Sequence, residues 1–334
     1  VTGIVQGSSG ADDPVGKDHT DASGSLDLEV QAAIGDQGAA FLLVESREGG
    51  GLNDDIETLH GINADAVDDD GDFELTETWY EHAFLEEYLL FTIGKVDLTN
   101  YFDNNAVAND ETLQFLSDGF VNNIAVEFPE DNGPGLRLAY SPNEKFEMGL
   151  GLGQANGEFE DVDRDTFGIL EVLYKPLYQN LEGNYRLYGW LNRSDHLVWD
   201  DPTDDDEHNW GIGFSLDQAF HEKFTGFFRA GIQDESVSQV DYALSVGGEM
   251  RGPLPNRQMD VLGIALGYAH LSDDYEDSVS PVSTGPEQKL ELYYSIHLND
   301  HLLISPDIQV IRNPAGLDDA DTITILGVRA QLFF

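Results

Sequence analysis

Apolar and polar residues alternate with a period of two along most of the chain. Leu26, Leu28, Val30 and Ala32 alternate with Asp27, Glu29 and Gln31, and Phe146, Met148, Leu150 and Leu152 with Glu147 and three glycines. Tyr185, Leu187 and Leu191 alternate with Arg186, Tyr188 and Asn192; Trp210, Ile212, Phe214 and Leu216 alternate with Asn209, Gly211, Gly213, Ser215 and Asp217. Leu290, Leu292, Tyr294 and Ile296 alternate with Glu291, Tyr293 and Ser295. Such alternation marks strands with one apolar and one polar face. Strands of a soluble sandwich run to about 5–6 residues. These run to about 9–13, the length that crosses a bilayer at a tilt near 45°.

The pattern predicts sixteen strands, at about 2–8, 23–34, 38–48, 72–83, 86–97, 135–142, 145–153, 165–175, 183–193, 208–217, 222–233, 240–251, 259–271, 287–298, 301–313 and 321–334. Val121–Phe128 also looks strand-like, but counting it breaks the alternation of short turns with long connections, so it is assigned to the long third loop. Aromatic residues at segment ends, such as Tyr140, Phe146, Tyr174, Trp210 and Phe224, sit where interfacial girdles belong. The expectation is an all-β fold: a sixteen-stranded antiparallel transmembrane barrel spanning 1–334, with short periplasmic turns, long acidic extracellular loops and an inward-folded third loop. Phe224, Phe228, Tyr242, Leu244, Leu292 and Tyr294 are expected to face lipid.

Composition narrows the function. Asp and Glu number 64 against 16 Lys and Arg, a formal charge of −48, which repels nucleic acid and excludes it as a partner. The acid excess fits either a saline habitat or a cation-attracting vestibule. Aromatics at 10% separate the chain from disordered acidic sequences. Cysteine is absent, so there is no thiolate chemistry. No apolar run approaches the ~20 residues of a membrane helix. No basic-then-apolar leader opens the chain, as expected of a processed chain that starts at Val1. No Ser/His/Asp trio or phosphate loop stands out, so the chain is not expected to be an enzyme, and no cofactor is expected.

The segment Gly94-Lys95-Val96-Asp97-Leu98-Thr99-Asn100-Tyr101-Phe102-Asp103-Asn104-Asn105, continuing through Val121-Asn122-Asn123, resembles the carbohydrate-selective porin family, OprB type. So does Ser305-Pro306-Asp307-Ile308-Gln309-Val310-Ile311-Arg312-Asn313-Pro314, followed by Gly327-Val328-Arg329, and the last strand ends in Phe like those of bacterial outer-membrane proteins. The resemblance implies an outer-membrane barrel with an inward loop that narrows the pore, passing monosaccharides such as glucose. The acidity sets this chain apart from the sugar-selective members. Alternatives are therefore a general or cation-permeable porin, and a structural or partner-binding barrel without a specific solute. The partners expected are outer-membrane lipid and small hydrophilic solutes such as monosaccharides or ions, with a monomer or a homo-oligomer such as a trimer both open.

A channel needs a constriction and lining groups rather than a nucleophile. Alternation turns Arg137, Arg186, Arg229 and Arg329 inward, with Glu249, Glu291, Asp307, Tyr188, Trp190, Tyr293 and Gln309. Arginine forks, carboxylates and aromatic rings there would bind and stack on a sugar. The plainer reading is that they brace the wall and the third loop. In that loop, 98–134, Asn100, Asp103, Asn104 and Asn105 supply turn chemistry, and Tyr101, Phe102, Phe115 and Phe120 need a surface to pack against. The alternative is packing on a neighbouring subunit. The acidic clusters Asp68–Asp70, Asp200-Asp201, Asp204–Glu207 and Asp318-Asp319 lack the EF-hand pattern and read as solvated loops, with weak Ca²⁺ or Mg²⁺ binding as the alternative. His60, His82, His208 and His221 have no metal-ligand spacing.

Overall fold

The computed structural model describes residues 1–67, 71–157, 159, 164–201, 203 and 206–334. Asp68–Asp70 and the pair Asp204-Asp205 lie outside the described residues. Seventeen strands form one sheet: β1 (Thr2–Ser9), β2 (Thr20–Ile34), β3 (Gly38–Glu48), β4 (Glu74–Phe84), β5 (Leu89–Val96), β6 (Gly133–Asn143), β7 (Phe146–Gln154), β8 (Thr166–Tyr174), β9 (Leu177–Tyr178), β10 (Leu181–His196), β11 (Glu207–His221), β12 (Phe224–Gln233), β13 (Val240–Arg251), β14 (Val261–Leu271), β15 (Glu287–Asn299), β16 (Leu302–Arg312) and β17 (Ile323–Leu332). β9 is a two-residue ladder in a turn, and β8 pairs directly with β10, so the wall has sixteen strands. Every neighbouring pair is antiparallel, and β1 pairs with both β2 and β17, which closes the barrel. Closure leaves no sheet edge, the condition for a sheet to stand in hydrocarbon. No helix among the described residues is long and apolar enough to cross a membrane.

The alternation orients the wall. Phe224 and Leu244 are exposed, and Phe228, Tyr242, Leu292 and Tyr294 half-exposed, while their neighbours Arg229 and Glu291 are buried on the opposite face. A one-residue slip would have reversed every one of these. Several strands, β2 and β10 among them, run beyond the pattern-predicted ends, because pairing continues past the segment in which one face must be apolar.

Connections separate the two ends. One end has tight turns, such as the one at Gly35 (φ +65) between β2 and β3, and carries Lys145, Lys175, Lys223 and Arg257. The other has the long loops, whose only basic residues are Lys17 and Arg164. Val121–Phe128 forms no strand; its first residue ends a single helical turn, Asp118–Val121, inside the third long connection.

Candidate functional site

The connection between β5 and β6, residues 97–132, holds eight carboxylates and no Lys or Arg. Its hydrophobic residues are nonetheless among the most buried in the molecule: Phe102 and Phe115 are 1% exposed and Phe120 0%. Such side chains contribute about 1.5–3 kcal/mol each when withdrawn from water. They pack on the inner face of the wall. Phe115 meets Tyr293 edge-on at 5.0 Å and Phe227 at 5.9 Å, and Phe102 lies over Gly149 and Gly151. A Cβ at Gly151 would sit 2.5 Å from the Phe102 ring, so the glycine is a recess for that ring.

The wall supplies the charge that the loop lacks. Arg229 pairs with Asp103 at 3.0 Å and donates to the backbone oxygens of Phe120 (2.7 Å), Asp103 (2.8 Å) and Ala108 (2.9 Å). Tyr188 Oη donates to Asp103 at 2.7 Å and Trp190 Nε1 to Ala125 O at 3.2 Å. Arg329 donates to Glu111 O at 2.5 Å. Glu291 accepts the Leu116 and Ser117 amides at 2.5 and 3.1 Å. Asn105 reaches Ser215, whose hydroxyl donates to Asn104 O at 3.0 Å. Burial pushes the Asp103 carboxyl above its ordinary range despite Arg229 beside it. Burial, with Asp110, Asp65 and Asp118 nearby, pushes the Glu111 carboxyl up to about 7.

A second segment lies against the same side. His60 Nδ1 and the His60 amide meet Glu287 at 2.8 and 2.9 Å, Gln309 donates to Ile62 O at 2.9 Å, and Lys289 donates to Gly61 O. Asn63 donates to Ser23 Oγ, and Ser25 donates to Asp65. Pattern reading passed over this segment as an ordinary acidic loop. The signal was there: Leu52, Ile56 and Ile62 interrupt the acid, and all three are buried with Val15, Ile311, Ile323 and Ile325.

These two segments cover most of the predicted lining. Arg186, Arg229, Arg329, Glu249, Glu291, Asp307, Tyr188, Trp190, Tyr293 and Gln309 are all at most 9% exposed. Arg186 is held by Asp217 at 3.1 Å and Glu171 at 3.8 Å, and Glu249 by Arg251 at 3.3 Å. Arg137 differs. It lies 4.4 Å over the Tyr101 ring, 3.4 Å from Glu81 and 3.6 Å from Glu147, with both carboxylates about a quarter exposed (23% and 27%).

Arg137 belongs to a more open wall, β2–β6, that pattern reading did not single out as a unit. Register places Asp27 opposite Glu45, Phe41 opposite Trp79, and Glu81 opposite Thr92, which in turn faces Arg137. Phe41 and Trp79 stack at 5.0 Å and 20°. Trp79 donates to Glu77, which also accepts from Asn100 at 2.9 Å. Arg47 binds Glu45 at 3.2 Å and is about a third exposed. From the loops, Asp65 and Asp97 complete the acid cluster, and burial raises both carboxyls. The result is a strip of stacked rings, two arginines and several carboxylates, the functional groups that bind a hydroxyl-rich ring.

The chain matches the model of the carbohydrate-selective porin family, OprB, over residues 16–334. It belongs to that family. It is 23% identical over 313 residues to Porin B of Pseudomonas aeruginosa, covering 78% of this chain and 68% of that protein. It is 21% identical over 271 residues to Porin AaxA of Chlamydia abortus, covering 77% of this chain and 56% of that one. A high-pH structure of Pseudomonas putida OprB superposes with a TM-score of 0.84 at 19% identity, covering all of this chain and 92% of that one. This OprB-family barrel is thus a carbohydrate-selective porin of the outer membrane. Porin chemistry is binding and diffusion, not catalysis, so none of its buried carboxylates needs an enzymatic role.

Proposed function

We propose that sugars of monosaccharide size cross this porin along the β2–β6 wall, with residues 98–134 as the constriction and the whole of 1–334 acting as one barrel. The observation that carries this reading is the Phe41–Trp79 stack on the same wall as Arg137 with Tyr101 over it, Trp79 and Tyr101 packing on one buried cluster, because rings offer a sugar its apolar face while Arg137, Glu81 and Asn100 exchange hydrogen bonds with its hydroxyls. Tyr101 is the constriction residue in contact with solute. Phe102, Asp103, Asn104 and Asn105 anchor it. Arg229, Arg329, Glu291, Tyr188, Trp190, Tyr293 and Gln309 act through the loops they hold, while Arg186, Glu249 and Asp307 brace the wall. One chain closes the barrel by itself, so each copy is a complete channel whether it stands alone or in a trimer.

Planar-bilayer conductance with glucose as blocker tests the reading. Trp79→Ala and Arg137→Ala should each weaken sugar block by several-fold. Arg186→Ala should leave the block near wild type. Equal effects at all three positions would remove the β2–β6 wall from the solute path. Deleting Tyr101–Phe120 should raise single-channel conductance if the loop sets the narrowest section.

Cation permeability is a second reading, favoured by one feature. Asp27, Glu45 and Glu81 share the open wall with Arg47 and Arg137, and Asp97 of the third connection adds to the acid. A salt-gradient reversal potential of cation-selective sign would support it.

A further inference from the structure

At the long-loop end, His19 and Asp21, from the entry into β2, meet Asp55 of the following loop. His19 Nδ1 lies 3.0 Å from Asp55 Oδ2, and one ligand-type atom from each of the three residues falls within 4.8 Å of the others. The backbone around them is held independently of these side chains. Gly16 bridges to Ile56, and Glu57 N donates to Val15 O at 2.9 Å. Gly16 has φ +141, and a Cβ there would lie 2.1 Å from Asp55 O, so the close approach of the two loops depends on glycine. Val15 packs with Leu52 and Ile56 beneath. The His19 amide donates to Ser8 Oγ at 2.8 Å, and Ser8 N donates to His19 O.

We propose that His19, Asp21 and Asp55 bind a divalent transition-metal ion of the Zn²⁺ type and thereby clamp the first two loops at the mouth. Two carboxylates stand close together beside one imidazole, an excess of negative charge that a divalent cation removes. Ligands of a tetrahedral zinc lie about 3.4 Å apart, so side-chain rotation on the held backbone suffices to close the set. An imidazole with two carboxylates selects Zn²⁺, Co²⁺ or Ni²⁺ over Mg²⁺ and Ca²⁺, which prefer oxygen alone. His19 is 55% and Asp55 30% exposed, so an ion can enter and water can fill the remaining position.

The test must separate this site from the ion atmosphere of an acidic protein. The detergent-solubilised barrel is titrated with Zn²⁺ in excess Mg²⁺, and with Co²⁺ read by visible absorption. Wild type should take up one Zn²⁺ per chain under Mg²⁺ and show a Co²⁺ band. His19→Ala and Asp55→Asn should each weaken that uptake by at least about tenfold, since even supporting contacts at metal sites are worth ten- to hundredfold. An Asp273→Asn/Asp274→Asn variant, altering acid elsewhere on the rim, should behave as wild type. Heat-dependent gel migration checks that each variant is a closed barrel. Unchanged uptake in His19→Ala, or complete suppression of wild-type uptake by Mg²⁺, would overturn the proposal.

Discussion

The wall of β10–β17 and the wall of β2–β6 have the same alternation and opposite fates. Both turn arginines, carboxylates and aromatic rings inward. On β10–β17 these groups are spent on the protein's own loops: Arg229 alone makes three hydrogen bonds to loop backbone oxygens and one ion pair. On β2–β6, Arg47, Glu45 and Glu81 remain partly exposed. An inward polar residue is therefore not by itself a pore-lining residue. What decides is whether a long, cation-free segment of chain is available to claim it.

The sharpest break in that contrast comes from Arg229→Ala. It strands the Asp103 carboxylate in a buried site, and losing one partner of such a pair costs about 3–5 kcal/mol. The third connection should detach, lowering thermal stability and raising conductance. Wild-type conductance in this variant would mean that the arginine does not hold the loop. Gly213→Ala should act next, because its Cβ would lie 2.0 Å from the Tyr188 ring that binds Asp103. Overpacking of this kind costs about 1–3 kcal/mol, read as a drop in melting temperature. The same substitution at an outward position, such as Gly189→Ala, meets no atom closer than 3.7 Å and should be nearly silent.

A smaller effect concerns pH. Glu111 titrates near 7 in the folded protein against an ordinary value of 4.5. The folded state thus binds its proton more tightly than the unfolded one. Stability falls as pH rises from about 4.5 through 7, and is recovered on acidification over that window. Melting temperatures measured at pH 8 and pH 5.5 should differ less in Glu111→Gln than in wild type. An identical difference would place the Glu111 carboxyl outside the docked interface.

The strands were legible because bilayer and lumen impose opposite demands on successive residues. All sixteen wall strands, their antiparallel order and the outward set from Phe224 to Tyr294 follow from that one constraint. The resemblance around Tyr101–Asn105 pointed to the family. The site was legible only by residue type. Glycines at 149, 151 and 153 are visible in the sequence, but the Phe102 ring that two of them accommodate is some fifty positions away. Phe227 and Ile169 break the polar face, and both turn out to pack in buried clusters or on loop rings. An apolar residue on the face that should be wet marks where a loop will sit. That cue, with Leu52, Ile56 and Ile62 in the second loop, was the readable trace of what covers the wall.

The unequal ends of the barrel bear on how the surroundings tune it. Fixed negative charge on the long-loop end reaches about 30 Å into dilute water at 0.01 M salt, but only about 3 Å at 1 M. A neutral sugar does not feel that reach, whereas every small cation does. In fresh water the mouth is a wide collector of cations; in brine it is electrically invisible. Sugar flux would then track the sugar gradient alone, while ionic leak would change with the habitat. On the cation-permeable reading, the ratio of nutrient gained to ions admitted is then set partly outside the protein, by the salinity of the medium.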